Sequence, residues 1–191
     1  KMEAAKYAAG ETPLVNVLPY QLKTAALITT GGEVAKGLIQ DTFSDVVIEK
    51  LQAYGIETVE HCYPGDDENL ITEKILEYKA KGVDMILCTG GMSVDPDDRT
   101  PGAIKRSGAS IVTYGAPVLP GAMFLLGYFE DKTPVMGLPG CVMYAKSTIF
   151  DIMLPRIVAG IPVKAEDFYV LGHGGLCLCL LYTSDAADDK A

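Results

Sequence analysis

Short apolar runs alternate with amphipathic stretches along most of the chain. Residues 25–29 form an apolar run that reads as a strand. Residues 30–40, with Gly31, Gly32 and Gly37, read as a loop. Residues 41–54 place Val46, Val47, Ile48 and Leu51 on or near one face, and Gly55 marks the stop of that helix. A second strand is expected over 56–62. A helix follows over 66–81, with Leu70, Ile71, Ile75, Leu76 and Tyr78 apolar and Gly82 as its stop. The run 83–88 is a third strand, 100–107 a short helix and 110–114 a strand. Residues 122–126 and 134–137 read as two strands joined across 130–133, and 141–159 as a last long helix kinked or ended near Pro155.

Strands alternating with helices predict a three-layer α/β/α fold with a mostly parallel sheet. The near-continuous apolar strands agree, because parallel strands are covered on both faces. The late strand pair adds an antiparallel edge hairpin. Residues 1–22 lack a clear period and read as a linker or the remnant of a missing domain. The folded domain spans 23–160, and 161–191 is a C-terminal extension whose last part reads as disordered or foreign. The opening Lys1-Met2-Glu3 suggests a piece of something longer.

Composition narrows the class. The chain has 191 residues, 49% of them hydrophobic, enough for one domain with a real core. A net charge of -9 argues against a nucleic-acid partner, whose phosphates reward Lys and Arg. No run is long enough to span a bilayer and no secretory pattern is present, so a cytoplasmic location is expected. The five cysteines (62, 88, 141, 177 and 179) form no disulfide framework and read as reduced thiols. The pair Cys177 and Cys179 lacks the second pair a zinc site needs.

The chemistry concentrates in Thr89-Gly-Gly-Met-Ser-Val-Asp-Pro-Asp-Asp-Arg-Thr-Pro101. This stretch joins an apolar strand to a helix start. Its glycines admit a ligand close to backbone, the N–H groups at the helix start suit an anion, and its carboxylates suit a divalent cation. In open parallel sheets, ligands bind at the carboxyl ends of strands. The loops 31–41, 64–67 and 89–101 all sit at such ends, so one shared crevice is expected.

The ordered motifs Gly37-Leu-Ile-Gln-Asp41, Asp66-Asp67, Thr89-Gly-Gly with Ser93, Asp98 and Thr100-Pro101, Leu119-Pro-Gly121 and Leu138-Pro-Gly140 resemble the molybdenum-cofactor biosynthesis domain. That family includes molybdopterin adenylyltransferases and molybdopterin molybdotransferases. The resemblance implies that Thr89, Gly90, Gly91 and Ser93 cradle the pterin phosphate. It implies catalytic roles for Asp98 and Asp67, with Asp98 as the Mg2+ ligand. Thr100, Pro101, Pro120, Gly121, Leu138, Pro139 and Gly140 would border the cofactor pocket. The implied ligands are molybdopterin, Mg2+ and either ATP or molybdate. The implied partners are a small pterin and a nucleotide, with a homo-oligomer, commonly a trimer. The implied activity is transfer of an adenylyl group to molybdopterin or insertion of molybdate.

The chain departs from the family at Cys141-Val, where the molybdotransferases carry Asn-Pro, and in its acid-rich 95–98 loop. Two alternatives therefore stand beside the first reading: a non-catalytic molybdopterin carrier or sensor, and a nucleotide pyrophosphatase domain of the competence-damage type. Several residues also have plain structural readings. Asp41 reads first as a helix N-cap, Asp67 as a charge at a helix N-terminus, Asp95 and Asp97 as solvated, and His61 as structural. His173 is undecided. Lys36, Lys105, Arg106 and Lys146 are candidate anion partners.

Overall fold

The computed structural model describes residues 15–38, 40–93 and 95–172, with positions 2, 3, 7 and 10. Expectations for 173–191, including His173, Cys177 and Cys179, lie outside the described residues.

The elements in chain order are β1 (Thr24–Thr29), α1 (Gly32–Ala35), α2 (Phe43–Gln52), β2 (Glu57–Cys62), α3 (Glu68–Ala80), β3 (Met85–Thr89), α4 (Thr100–Arg106), β4 (Ser110–Tyr114), β5 (Leu125–Tyr128), β6 (Pro134–Leu138), α5 (Ile149–Val158) and α6 (Ala165–Tyr169). Short 3-10 turns occupy Gly140–Val142 and Val170–Gly172. The six strands form one sheet in the order β2-β1-β3-β6-β5-β4. β2, β1, β3 and β6 run parallel, while β5 is antiparallel to both β6 and β4. This is the expected mostly parallel sheet with an antiparallel edge.

Alternation along the strands sorts the core into two layers. Ala25, Leu27, Met85, Leu87, Leu126 and Met136 face the layer built by α2, α5 and α6. Ala26, Ile28, Ile86, Cys88, Leu125 and Val135 face α3 and α4. Every residue of β3 and β6 is buried, as strands covered on both faces require. Phe168 is fully buried 6.0 Å from Phe124, and Phe124 lies 6.5 Å from Phe150, so this aromatic row carries α6 onto the core. Such ring pairs contribute about 0.5–1.5 kcal/mol each beyond their burial.

The long helix expected over 141–159 is shorter. A 3-10 turn and bends fill 140–148, and α5 begins only at Ile149. Thr148 caps it: the Thr148 hydroxyl accepts from Phe150 N–H at 3.2 Å, and Asp151 accepts from Thr148 N–H at 2.7 Å. That reciprocal capping box sets the helix start, and the apolar residues before it pack as a turn. Pro155 sits inside α5 without ending it. α1, four residues within the expected 30–40 loop, is an addition.

Candidate functional site

The strand order reverses around β1, because β1 leads to β2 on one side and β3 lies on the other. This reversal is the switch point of the sheet, the position where ligands sit in open α/β sheets. The register places Thr29 beside Thr89 and Thr89 beside Leu138, so three loops leave the sheet at one level. β5 runs the other way, and Leu125 pairs with Gly137, so 115–124 and the end of β4 lie at the same edge.

Threonine hydroxyls tie these loops together. Thr30 N–H donates to Thr89 O at 2.8 Å, and Thr30 Oγ1 donates to the same carbonyl at 3.0 Å. Thr100 Oγ1 donates to Gly90 O at 2.9 Å and lies 3.3 Å from Thr30 Oγ1. Both Thr89 and Thr100 are fully buried. The loop after β2 joins through Asp66, whose Oδ2 accepts from Gly32 N–H at 2.6 Å.

Gly90 (φ +81°) and Gly91 (φ +54°) make the turn. A Cβ on Gly90 would lie 2.6 Å from Thr30 O, and one on Gly91 would lie 2.9 Å from Thr100 Oγ1. Only glycine fits both the backbone and the space. Met92 is buried against β6: a Cβ on Gly137 would sit 2.5 Å from its sulfur. Among the described residues, the amides of Gly91, Met92 and Ser93 have no protein acceptor. Successive free N–H groups across a left-handed turn are the geometry that receives a phosphate.

Ser93 Oγ donates to Asp98 Oδ2 at 2.7 Å and accepts weakly from Asp95 N–H at 3.4 Å. Tyr114, at the end of β4, reaches Ser93 O with its hydroxyl at 3.5 Å. Burial, then the charge of Asp98, push the Tyr114 phenol above its usual pKa. Asp98 thus stands at the rim between the free amides and an aromatic ring. Among the described residues, no group of three or more His, Cys, Asp or Glu side chains is placed to hold a metal by itself. A divalent cation here would need a ligand's own oxygens beside Asp98, the usual arrangement for Mg2+ with phosphate.

The remaining expected residues take these positions. Pro101 occupies the first turn of α4. Leu138 and Pro139 are buried, Gly140 is exposed, and Pro139 O accepts from Val142 N–H at 3.0 Å. Pro120 is half-buried, and Pro120 O accepts from Ile149 N–H at 3.2 Å. Gly121 presses on α5, where a Cβ would meet Ile149 Cγ2 at 2.7 Å. Asp67 is the N-cap of α3, its Oδ1 accepting from Asn69 N–H at 2.8 Å and Leu70 N–H at 3.3 Å. Arg106 bonds Asn69 Oδ1 at 2.9 Å and approaches Glu68 at 3.5 Å, so its charge is directed to α3.

A polar cluster joins the expected Thr89 to Thr29, Ser44, His61 and Asp41, none of which was among the expected site residues. Thr29 Oγ1 lies 2.8 Å from Ser44 Oγ, 2.9 Å from His61 Nε2 and 3.2 Å from Thr89 Oγ1. Ser44 Oγ donates a short bond to Asp41 Oδ2, and Asp41 Oδ1 accepts from Phe43 and Ser44 N–H. Asp41 therefore stands one residue before the N-cap Thr42 and accepts from the first-turn amides of α2, close to its plain reading as the N-cap. Burial would raise the Asp41 carboxyl, but Ser44, Phe43 and Tyr63 donate to it and hold it below the usual carboxylate range. Burial lowers the His61 pKa against the pull of Asp41 and Asp45, keeping the ring neutral. The sequence signals were the pair of hydroxyls, Thr29-Thr30, ending an apolar strand, and Asp41 closing the motif 37–41.

A shallow groove of about 670 Å³ runs along α2 and β2, lined by Ile48, Gln52, Thr58 and His61 among others, with Thr58 Oγ1 buried and without a partner among the described residues. A second cavity of about 680 Å³ lies around Asp84, Asp131 and Gly160, by the entries to β1, β3 and β6. Neither is lined by Gly91, Met92 or Ser93, so the loops at the strand ends are the better candidate.

The family model described as a probable molybdopterin binding domain matches residues 26–159. A molybdopterin molybdenumtransferase from Synechococcus elongatus is 27% identical over 167 residues, 83% of this chain and 40% of that protein. A CinA-like protein from Desulfosudis oleivorans is 37% identical over 83 residues, 44% of this chain and 20% of that protein. The chain thus spans two fifths or less of the length of these curated relatives. The crystal structure of the molybdopterin biosynthesis enzyme MoaB from Thermus thermophilus superposes with a TM-score of 0.58 at 22% identity, covering 75% of this chain and all of that one. At that identity the likeness concerns the fold.

Proposed function

The chain belongs to the molybdopterin-binding domain family of molybdenum-cofactor biosynthesis, and from that premise we propose that it binds molybdopterin by its phosphate on loop 89–93 and acts in assembly of the molybdenum cofactor. The observation that carries this reading is the run of amides at Gly91, Met92 and Ser93 that meet no acceptor among the described residues, held at the sheet's switch point by two glycines with no room for a side chain. A phosphate is recognised by backbone donors, and those donors are preorganised here by the Thr30, Thr89 and Thr100 hydroxyls.

The proposed reaction is adenylyl transfer from ATP to the pterin phosphate, with pyrophosphate leaving, or insertion of molybdate. Either depends more on positioning and charge neutralisation than on a side-chain nucleophile. Asp98 would hold Mg2+, and the cation would supply neutralisation of the charge developing on the reacting oxygens. Ser93 keeps the Asp98 carboxylate oriented. Leu138, Pro139, Pro120 and Gly121 shape the far wall. Asp67 anchors α3 under the crevice, and any chemical role must coexist with its capping bonds.

Titration with molybdopterin, followed by turnover with Mg2+ and ATP or molybdate, tests the reading. Binding with turnover that falls in Asp98→Asn is expected. Absence of binding in this chain and in a longer chain sinks the proposal. Binding without either reaction replaces catalysis by a carrier role. The similarity to CinA-like proteins supports a second reading, hydrolysis of a dinucleotide pyrophosphate at the same loop. Release of a nucleoside monophosphate from such a substrate would select it.

A further inference from the structure

The polar cluster behind the loop has a direction. Asp41 is a carboxylate and only accepts. The Ser44 proton goes to Asp41 Oδ2, so Ser44 Oγ has none left for its 2.8 Å contact with Thr29 Oγ1. Thr29 must therefore donate to Ser44. Its hydroxyl then has two lone pairs to offer, and two groups face them: Thr89 Oγ1 at 3.2 Å, as donor, and His61 Nε2 at 2.9 Å. With the Thr29 proton spent, a bare Nε2 would oppose an oxygen lone pair. The close contact requires the Nε2–H tautomer of His61.

We propose that Asp41 is a positioning residue for the ligand loop: its carboxylate polarises a one-way chain of donors, Thr89 to Thr29 to Ser44 to Asp41, with His61 as a side donor, and so fixes the residue from which the phosphate cradle springs. The chain crosses the sheet register, linking the ends of β1, β2 and β3 with the start of α2. Thr29, Ser44 and Thr89 are at least nine-tenths buried, so water does not compete for these bonds. The same Thr89 presents its carbonyl to both donors of Thr30, so a shift at Thr89 moves both loops of the crevice. His61 Nε2 also lies 3.2 Å from Ser44 Oγ, which has no proton left to give it and so accepts from the same N–H. The titratable groups facing the ring are Asp41 at 3.8 Å, Asp45 and Tyr63, whose ring is 4.5 Å away. This role rests on the reading of loop 89–93 as the phosphate cradle, but the hydroxyl order does not.

Two measurements on the full chain separate the two claims. Nitrogen-15 NMR of the histidines reads the tautomer without any ligand. The expected result is Nε2–H at neutral pH, and an Nδ1–H tautomer overturns the donor order. Molybdopterin titration then compares wild type with Asp41→Asn. Asparagine still caps a helix, yet its amide turns an acceptor into a donor and reverses the end of the chain. Affinity is expected to fall about 2- to 12-fold, the span of one net hydrogen bond. Amide exchange at Thr30 should quicken while that of Ile86 in β3 stays unchanged. Unchanged Thr30 exchange, or an equal loss of protection at Ile86, overturns the positioning role. If wild type fails to bind molybdopterin, the proposed function falls, while the tautomer and the Thr30 exchange still decide the relay.

Discussion

Replacing Gly90 by alanine tests the close approach on which the cradle depends. The substitution carries two costs. An L residue at φ +81° pays about 1–2 kcal/mol for the left-handed conformation. The new methyl would also lie 2.6 Å from Thr30 O and 2.7 Å from Thr30 Oγ1. Thr30 cannot retreat freely, because its N–H and hydroxyl both bond Thr89 O. Overpacking of this kind costs a further ~1–3 kcal/mol. Gly82 supplies the control, with φ +77° and nothing within 4 Å of a Cβ. Gly82→Ala should therefore show the conformational cost alone. Urea unfolding at constant slope should place Gly90→Ala about 1–3 kcal/mol below Gly82→Ala. In thermal melts that gap is on the order of 2–12 °C for a chain of this size. A gap under ~0.5 kcal/mol would refute the argument that the β1 and β3 loops are locked against each other.

Two further substitutions separate capping from chemistry. Asp67→Ala should lower stability by about 1 kcal/mol through the lost N-cap, whereas Asp67→Asn should keep the cap; activity lost in Asp67→Asn with normal stability would assign the carboxylate a chemical role. The second concerns pH. His61 has its pKa held by burial below the usual histidine value of about 6.5, so protonation favours the unfolded chain. Its contribution is complete above pH 6.5 and is lost as pH falls from there through the folded pKa. The stability difference between wild type and His61→Gln should therefore shrink between pH 7 and 5. A difference constant across that window would contradict a neutral His61.

Much of the fold was legible because burial on both faces leaves an apolar run that tolerates few readings. β1, β3 and β6 are of that kind. Gly55 and Gly82 were readable as stops, and both adopt the positive φ (+71° and +77°) that ends a helix. Residues 141–148 were not, since their apolar content imitates a helix face and only the Thr148–Asp151 capping box marks the true start. The tight turn after β3 was legible as a motif, because Gly90 and Gly91 both take positive φ where a Cβ has no room. The Asp41–Ser44–Thr29–His61 cluster was hidden, since its members lie 15 and 32 residues from Thr29 or in a different element and meet only through sheet register. Long-range polar contacts of this kind leave no periodic trace.

The central claim is that the amides of Gly91, Met92 and Ser93 receive the pterin phosphate. Amide chemical shifts followed during a molybdopterin titration test it most directly. The expected result is a saturable downfield movement of those three amides, with Thr30 and Thr89 responding less. Saturable shifts along the α2–β2 groove with loop 89–93 unmoved would contradict it.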